Sequence, residues 1–339
     1  MGGIAGWLGD FPNSHDYQAP SMKPVRLSVA QKLCRKLPPI FAQRLRDWIY
    51  PIERAYRDDY KFTVRAQTGS MFSSRTSDYH AYPFSVHGYF EWRNWAIAMA
   101  FCSPGDTILE IGANIGTETV GFSDIVGDLG KVYAFEPLPS NLELLKETVR
   151  LNQYQNVIVL PVAVGEECKR VRFVVPPAKS ASGMGYILGI EKQTNSNSIE
   201  TDCVTLDSYS DRIGPVKLIF IDAEGAEVLI LSGAREFIQT HKPTIVLEAH
   251  PKFLARAGFT PKDLYAEIKE LEYKPFKISR LGLTRVELGS FDNYHNWLCI
   301  PCSKLETANI AKKYIRRCGL FPCMPGWNPL TQRPMEEIG

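Results

Sequence analysis

Short apolar runs alternate with amphipathic helical stretches in the middle of this 339-residue chain. Such alternation is typical of βαβ units, in which successive strands lie parallel in one sheet. We therefore predict an α/β fold with a doubly wound, Rossmann-like sheet. The predicted strands fall at residues 107–111, 131–135, 157–161, 218–221, 244–247 and 296–300. The predicted helices fall at 116–126, 140–152, 226–239 and 261–271.

The segment before this sheet has helical periodicity. Its apolar residues recur at helical spacing from residue 25 to residue 59, and Pro38, Pro39 and Pro51 interrupt them. Because proline breaks a helix interior, the pattern predicts two or three short helices. A strand pair follows, with its turn at residues 68–70. We divide the chain into an N-terminal lead-in and helical extension (1–60), a main domain (61–302) and a C-terminal helix and tail (303–339).

The N-terminal helices also carry basic side chains, which have two interpretations. A basic amphipathic face favours weak peripheral contact with an anionic membrane. The alternative is the solvated face of a helical cap, which the interleaved acids Asp47, Glu53 and Asp58 favour. The basic residues are Arg26, Lys32, Arg35, Lys36, Arg44 and Arg46.

The composition is that of an ordinary globular protein. The 39 lysine and arginine residues nearly balance the 37 aspartate and glutamate residues, which gives no reason to expect a nucleic-acid partner. The chain has no apolar window of roughly 18 to 20 residues, as a membrane span needs, and residues 1–10 lack the pattern of a signal peptide. We therefore expect a cytoplasmic protein without a transmembrane span, in which most of the eight cysteines are reduced core residues.

A glycine-rich turn, Leu-Glu-Ile-Gly-Ala-Asn-Ile-Gly, occupies residues 109–116, where the first predicted strand ends. In doubly wound sheets, ligands bind at this end of the strands. Gly112 and Gly116 allow a ligand to approach the backbone, and helix amides near Thr117 can hold its carboxylate. Glu110 lies inside the turn, where a carboxylate complements an ammonium group and repels the pyrophosphate of a dinucleotide.

An acid at the end of the second predicted strand indicates a nucleoside cofactor. Glu136 can accept hydrogen bonds from both hydroxyls of a ribose. This position alone does not separate a methyltransferase from a dehydrogenase. Asn114, however, stands where the G-x-G-x-x-G turn of a dehydrogenase has its second glycine, which counts against that alternative.

Six short segments together carry a family resemblance. They are the turn at 109–116, Phe-Glu-Pro at 135–137, Thr-Leu-Asp at 205–207, Ile-Asp-Ala-Glu-Gly-Ala-Glu at 221–227, Gly-Ala at 233–234 and Leu-Glu at 247–248. Over about residues 60–302 the chain resembles the FkbM family of S-adenosylmethionine-dependent methyltransferases. The segment at 221–227 is the most specific, and its Ala223 replaces the more usual valine.

The resemblance implies a class I methyltransferase fold, S-adenosylmethionine as cofactor, and a small-molecule or glycan acceptor. The expected reaction is O-methylation of a hydroxyl group of a sugar, glycolipid or polyketide-type natural product. Glu91 precedes the helix that leads into the first strand, and the resemblance implies that it faces the cofactor. The predicted cofactor-binding residues are Glu91, Glu110, Gly112, Asn114, Gly116, Thr117, Glu136 and Pro137.

Five residues at the ends of the fourth and fifth predicted strands are candidates for catalysis. Methyl transfer to a neutral alcohol needs a base that removes its proton. Asp222 ends the fourth strand, and the i,i+3 spacing of Glu224 and Glu227 would place both on one face of the next helix. Acids this close either raise a pKa or bind Mg²⁺. The candidates are Asp222, Glu224, Glu227, Glu248 and His250.

These candidates also have structural interpretations. An alternative role of Glu224 and Glu227 is to stabilise a helix N-terminus, and for Glu227 this role is expected as strongly as catalysis. His250 is expected as strongly to be a hydrogen-bonded loop histidine as to be a base. The sequence does not rank the bases.

Two other clusters have alternative roles. An aromatic tract between residues 79 and 92 can form a lid over a ligand, although core packing is expected for at least half of its members. Its members are Tyr79, Tyr82, Phe84, His87, Tyr89, Phe90 and Trp92. Four cysteines have a spacing that can bind zinc, but their irregular gaps favour core positions instead. They are Cys299, Cys302, Cys318 and Cys323.

Two functional alternatives stay open. The acceptor can be a nitrogen or a protein, because an amine needs less help from a base. The fold can also serve as a catalytically inactive interaction module, although the intact acids Glu110, Glu136, Asp222 and Glu224 argue against this.

Overall fold

Three short helices precede the sheet in the computed structural model, as the prolines predicted. They are α1 (Val25–Cys34), α2 (Pro39–Ile49) and α3 (Ile52–Asp58). Proline stands in the first turn of α2, where its missing N–H leaves no helix bond unmade. The structure describes residues 22–175, 185–187, 198–289 and 295–331.

Some of the basic side chains on these helices are held by protein groups. Arg35 donates to the carbonyl oxygen of Arg65, and Arg46 pairs with Asp47 at 2.7 Å. Peripheral membrane contact stays a prediction. In the described part of the chain, no helix is long and apolar enough to cross a membrane.

A short antiparallel strand pair and two helices connect this extension to the sheet. They are β1 (Lys61–Arg65), β2 (Met71–Arg75), α4 (Ala81–His87) and α5 (Trp92–Phe101). Trp92 and Trp95 of α5 are fully buried, so this helix forms part of the core.

The elements that follow alternate between strand and helix, as predicted. In chain order they are β3 (Thr107–Ile111), α6 (Thr119–Val126), β4 (Lys131–Phe135), α7 (Pro139–Asn152), β5 (Val157–Leu160), β6 (Ala163–Val164), β7 (Lys169–Val174), β8 (Tyr186–Ile187), β9 (Ser198–Val204), β10 (Leu218–Ile221), α8 (Glu227–Ser232), α9 (Arg235–His241), β11 (Thr244–Ala249), α10 (Pro251–Arg256), α11 (Pro261–Glu270), β12 (Tyr273–Ile278), β13 (Leu283–Arg285), β14 (His295–Pro301) and α12 (Ala308–Leu320).

The central sheet has eight strands in the order β13-β12-β14-β11-β10-β3-β4-β5. The strands from β11 to β5 are parallel, and β14 pairs antiparallel with β11. The chain runs from β3 outward to β4 and β5, and then returns to the other side of β3 as β10. This reversal creates a cleft at the carboxyl ends of β3 and β10, which is where such folds bind ligands. The doubly wound, Rossmann-like prediction is confirmed.

Apolar residues fill both faces of this sheet. Ile108 and Leu109 are adjacent in β3, yet they are fully buried in two different apolar cores, because successive strand side chains point to opposite faces. Ala311 and Ile315 of α12 extend the core that contains Trp92. Packing on both faces therefore fixes the carboxyl end of β3 and the turn that follows it.

Two details differ from the prediction. The helix expected at 226–239 is two helices, α8 and α9, which separate at Gly233, where a Cβ atom would lie 2.2 Å from the carbonyl oxygen of Gly165. A separate four-stranded sheet, β6-β9-β7-β8, was not predicted. The composition of residues 179–198, rich in glycine, serine and asparagine, predicts a flexible insertion. This stretch lies almost entirely outside the described residues.

Candidate active site

A cavity of about 500 Å³ opens at the carboxyl ends of β3, β4, β10 and β11. Its described lining includes seven acidic side chains and no lysine or arginine. The acids are Glu91, Glu110, Glu118, Glu136, Asp222, Glu224 and Glu248. Because buried carboxylates are costly without a positive partner, this lining favours a cationic ligand over an anionic one.

The two glycines of the turn after β3 are required by packing. Both have positive φ, 87° at Gly112 and 89° at Gly116. A Cβ atom at Gly112 would lie 1.9 Å from the carbonyl oxygen of Asp222, and one at Gly116 would lie 2.9 Å from Leu145 Cδ1. Gly112 lines the cavity and Gly116 does not. The missing side chain at Gly116 makes room for Leu145 of α7, whereas the sequence predicted that it makes room for a ligand.

Glu136 is held at the end of β4 by the backbone of two turns. The amide of Asn114 donates to its Oε2 atom and the amide of Leu138 to its Oε1 atom, both at 2.8 Å. Burial raises the pKa of Glu136 to about 7, and these two hydrogen bonds oppose the rise. The side chain of Asn141 also hydrogen-bonds to Glu136 and likewise lowers its pKa. Because each carboxylate oxygen can accept two hydrogen bonds, these three donors leave one acceptor position for a ligand hydroxyl. Pro137 lines the cavity beside it.

Glu110 lies deeper in the cavity and is 1% exposed. The hydroxyl of Thr119 donates to its Oε2 atom at 2.6 Å. Burial raises the pKa of Glu110 to about 8, and the charges of Glu136 and Asp222 add to this effect. Thr117, two residues before α6 begins, also lines the cavity.

Glu91 lies in a hydrogen-bonded wall, most of which sequence reasoning missed. Its Oε2 atom accepts from Asn94 at 3.4 Å and from Asn296 at 3.1 Å, and its amide donates to Glu118 at 3.2 Å. The other carboxylate oxygen of Glu118 is buried with no hydrogen-bond partner among the described residues, as is the side-chain oxygen of Asn94. Burial raises the pKa of both glutamates. Glu118 directly follows the glycine turn, so its place in the sequence was the signal that could have found it.

Asp222, Glu224 and Glu248 come together on the opposite wall. One carboxylate oxygen from each lies within 4.8 Å of the others, and within the described residues this is the one group of acids, histidines or cysteines that could hold a metal ion. Arg256 donates to Oε2 of Glu224 at 2.8 Å, which gives the cluster a positive partner.

The three carboxyls differ in acidity. Burial, and next the charge of Glu91, raises the pKa of Asp222 to about 7. Burial and the charge of Asp222 raise the pKa of Glu224 to about 8 despite Arg256. Burial and the neighbouring acids raise the pKa of Glu248 to about 11, the highest of the three.

Glu224 and Glu227 do not share a helix face, which corrects the spacing argument. Glu224 lies in the loop with a φ of 55°, and α8 begins only at Glu227. Glu227 does not line the cavity. Its Oε1 atom accepts from the amides of Ala223 and Gly225 at 3.2 and 3.3 Å, so it holds the turn that carries Glu224.

His250 lines the cavity beside the first turn of α10. The amide of Lys252 donates to its Nδ1 atom at 3.2 Å, and the ring stacks on Phe253 at 3.8 Å between centroids. Since Nδ1 accepts this bond, the proton of the neutral ring is on Nε2. His250 is thus a hydrogen-bonded loop histidine in this geometry.

The aromatic tract divides between cavity and core. Tyr79 and Phe90 line the cavity, and the other five predicted members are buried in the core. His80, which was not predicted, packs against Phe90 at 4.6 Å and lies 3.2 Å from the side-chain amide of Asn114. Asn114 has a φ of 50°, and this left-handed turn brings its side chain to His80.

The four C-terminal cysteines form no metal cluster among the described residues. Cys299, Cys318 and Cys323 are buried and Cys302 is exposed, so three of the four have the core positions that were favoured. All eight cysteines of the chain are free thiols.

Comparison with known proteins agrees with this geometry. Residues 110–275 match the family model of the methyltransferase FkbM domain. Residues 110–275 of this protein are a methyltransferase FkbM domain. The match extends from Glu110 in β3 to Pro275 in β12, and it includes Glu136, the acid cluster and the segment at 221–227.

Other similarities are more distant. A probable cobalt-precorrin-6B C(15)-methyltransferase (decarboxylating) from Sulfurisphaera tokodaii is 23% identical over 168 residues, which are 48% of this chain and 85% of that protein. The crystal structure of an FkbM methyltransferase from Methylobacillus flagellatus is 16% identical with a TM-score of 0.38; the match covers 80% of this chain and 58% of that one. Aeropyrum pernix fibrillarin in complex with S-adenosyl-L-methionine is 16% identical with a TM-score of 0.34, covering 62% and 76%.

Proposed function

We propose that this protein transfers a methyl group from S-adenosylmethionine to a hydroxyl group of a sugar, glycolipid or polyketide-type natural product. The observation that carries this proposal is the acidic lining of the cavity, which has seven acids and no described lysine or arginine. S-adenosylmethionine has a net positive charge, because its sulfonium and ammonium groups outweigh its single carboxylate, whereas the pyrophosphate of a dinucleotide would be repelled. A dehydrogenase is therefore disfavoured.

The residues around the turn would hold the cofactor. Glu136 would accept from a ribose hydroxyl with its remaining acceptor position, and Glu110 would face the ammonium group. When bound, S-adenosylmethionine supplies the methyl carbon: its bond to sulfur breaks as the bond to the acceptor oxygen forms, and the electron pair stays on sulfur.

Asp222 is the proposed base that takes the proton from the acceptor hydroxyl. Its competitors are occupied or protonated. Glu224 is paired with Arg256, and Glu248, with a pKa of about 11, holds its own proton at neutral pH. A pKa of about 7 leaves Asp222 able to accept a proton near neutrality. Glu248 would then donate a hydrogen bond within the cluster.

Mg²⁺ is a second hypothesis for the same cluster. Because Arg256 already neutralises Glu224, we propose that transfer proceeds without a divalent cation. Addition of EDTA should leave the rate unchanged. Loss of activity that Mg²⁺ restores would contradict this proposal and assign the three carboxylates to a metal.

The experiment is methyl transfer from tritium-labelled S-adenosylmethionine to a panel of sugars, glycolipids and macrolactones, with amines and protein included. NMR of the product would show whether the new methyl group is bonded to oxygen. Label on nitrogen or protein would favour the alternative acceptors. Cofactor binding without transfer to any acceptor would favour an inactive interaction module. A cytoplasmic location is part of the proposal, and the free thiols support it.

A further inference from the structure

A second cavity, of about 700 Å³, adjoins the acidic one. It lies between α2, the start of α5 and the strands β12 and β14, and we call it the basic cleft. Glu91, Asn94 and Asn296 line both cavities, so this hydrogen-bonded trio is their common wall. The basic side chains that line the cleft are Arg44, Arg46, Arg93, Lys277 and Arg280.

The positive charge of the cleft is not neutralised by its own acids. Asp47 pairs with Arg46 at 2.7 Å, and Glu91 belongs to the common wall. Arg93 donates to the carbonyl oxygens of Ser279 and Arg280 at 3.3 and 3.4 Å. Arg280 itself donates to the carbonyl oxygen of Ile40 at 2.8 Å.

Bonds to carbonyl groups orient a guanidinium but leave its full charge in place, so Arg93 and Arg280 are fixed cations. Within the described residues, Arg44 and Lys277 form no ion pair. His295 also lines the cleft, and its buried Nε2 atom has no hydrogen-bond partner among the described residues. Three positive side chains, Arg44, Lys277 and Arg280, thus face one cleft without an ion pair among the described residues, together with an unsatisfied ring nitrogen. Arg93 lies beside them, and Glu91 attracts its charge.

We propose that the basic cleft binds an anionic group of the acceptor substrate, a phosphate or sulfate ester. This inference rests on the proposed methyltransferase function. The two cavities have opposite charge, so an acceptor with one anionic end can bind in one orientation only. Its ester lies among Arg93, Lys277 and Arg280, and its hydroxyl passes the wall of Glu91, Asn94 and Asn296 toward Asp222.

Inorganic pyrophosphate is the first probe, titrated by calorimetry into the full-length protein. The test variant is the double substitution Lys277→Gln and Arg44→Gln, because neither side chain has a described ion pair whose loss would disturb the fold. The control is Lys274→Gln, on the same strand but three residues away and therefore on the opposite face. We expect saturable binding, weakened at least tenfold in the double variant and unchanged in the control. Absent binding, or equal binding in all three proteins, would overturn the proposal.

A second measurement separates an acceptor ester from a free anion. Transfer of labelled methyl groups is compared between sugar phosphates or sugar sulfates and the parent sugars. We expect at least a tenfold higher kcat/KM for the esters, lost in the double variant. Pyrophosphate binding without any preference for esters would mean that the cleft holds a free anion, which contradicts the acceptor assignment.

S-adenosylhomocysteine is titrated into the same three proteins, and its affinity should not change. If it binds but pyrophosphate does not, the inference about the cleft fails and the methyltransferase proposal stands. If it fails to bind any of the three, the proposed function fails, and the ester assignment fails with it.

Discussion

Gly112 and Asp222 pack so closely that a Cβ atom on the glycine would lie 1.9 Å from the carbonyl oxygen of the aspartate. The turn that we propose binds the cofactor and the loop that carries the proposed base are therefore in direct contact. Gly112→Ala should push the loop away, at a cost of roughly 1–3 kcal/mol for overpacking in addition to the strain of a positive φ. The free energy of unfolding, measured in urea, tests this.

Gly105→Ala is the matched control for that substitution. Gly105 also has a positive φ, of 93°, but beyond its chain neighbours no atom lies within 4 Å of the place that a Cβ would take. The Gly105→Ala variant should lose only the part of the unfolding free energy that comes from backbone strain, on the order of 1 kcal/mol. Equal losses in the two variants would contradict the packing explanation.

Asp222→Asn should abolish methyl transfer, because an amide cannot take the proton of the acceptor. The affinity for S-adenosylhomocysteine should stay within about threefold of the original. The wild-type rate should rise with pH through about 7, where Asp222 loses its proton. Asp211→Asn, an exposed change in the loop before β10, is the control and should alter neither property. Normal turnover in Asp222→Asn would remove Asp222 from the mechanism.

The buried acids predict how stability depends on pH. Glu110 has an ordinary pKa of 4.5 when unfolded and about 8 when folded, because burial disfavours its charge. Its contribution to stability is complete below pH 4.5 and is lost as the pH rises toward 8, at about 1.4 kcal/mol per pH unit. Melting temperatures of the ligand-free protein at pH 5.5 and 7.5 should therefore differ less in Glu110→Gln than in the wild type. Glu143→Gln, exposed on α7, should retain the wild-type difference; if Glu110→Gln also retains it, Glu110 is not the source.

The sequence predicted the sheet because each parallel strand is a continuous apolar run. Residues of β3 are buried on both faces, so 107–111 carries a signal that needs no knowledge of its partners. The same holds for the acids at strand ends, since the carboxyl ends of parallel strands share one edge. Glu110, Glu136, Asp222 and Glu248 were therefore expected near one another, and the structure places all four on one cavity.

Residues whose position depends on distant contacts were not predicted. Asn94 lies in α5 and Glu118 directly precedes α6, and both contact Glu91. Asn296 reaches Glu91 from β14, 205 residues away in the chain. The direction of Glu227 depends on the left-handed conformation of Glu224, which turns the loop before α8 begins. The basic cleft joins α2 to β12 and β14, and no local pattern links these segments.

The central claim is that the acidic cavity binds S-adenosylmethionine. The most direct test is calorimetric titration of the purified protein with S-adenosylhomocysteine and, separately, with NAD. Glu136→Ala removes the proposed ribose contact, and Glu143→Ala is the control on the exposed face of α7. We predict micromolar binding of S-adenosylhomocysteine by the wild type and the control, loss of binding in Glu136→Ala, and no binding of NAD. Preference for NAD, or no binding of S-adenosylhomocysteine, would contradict the account.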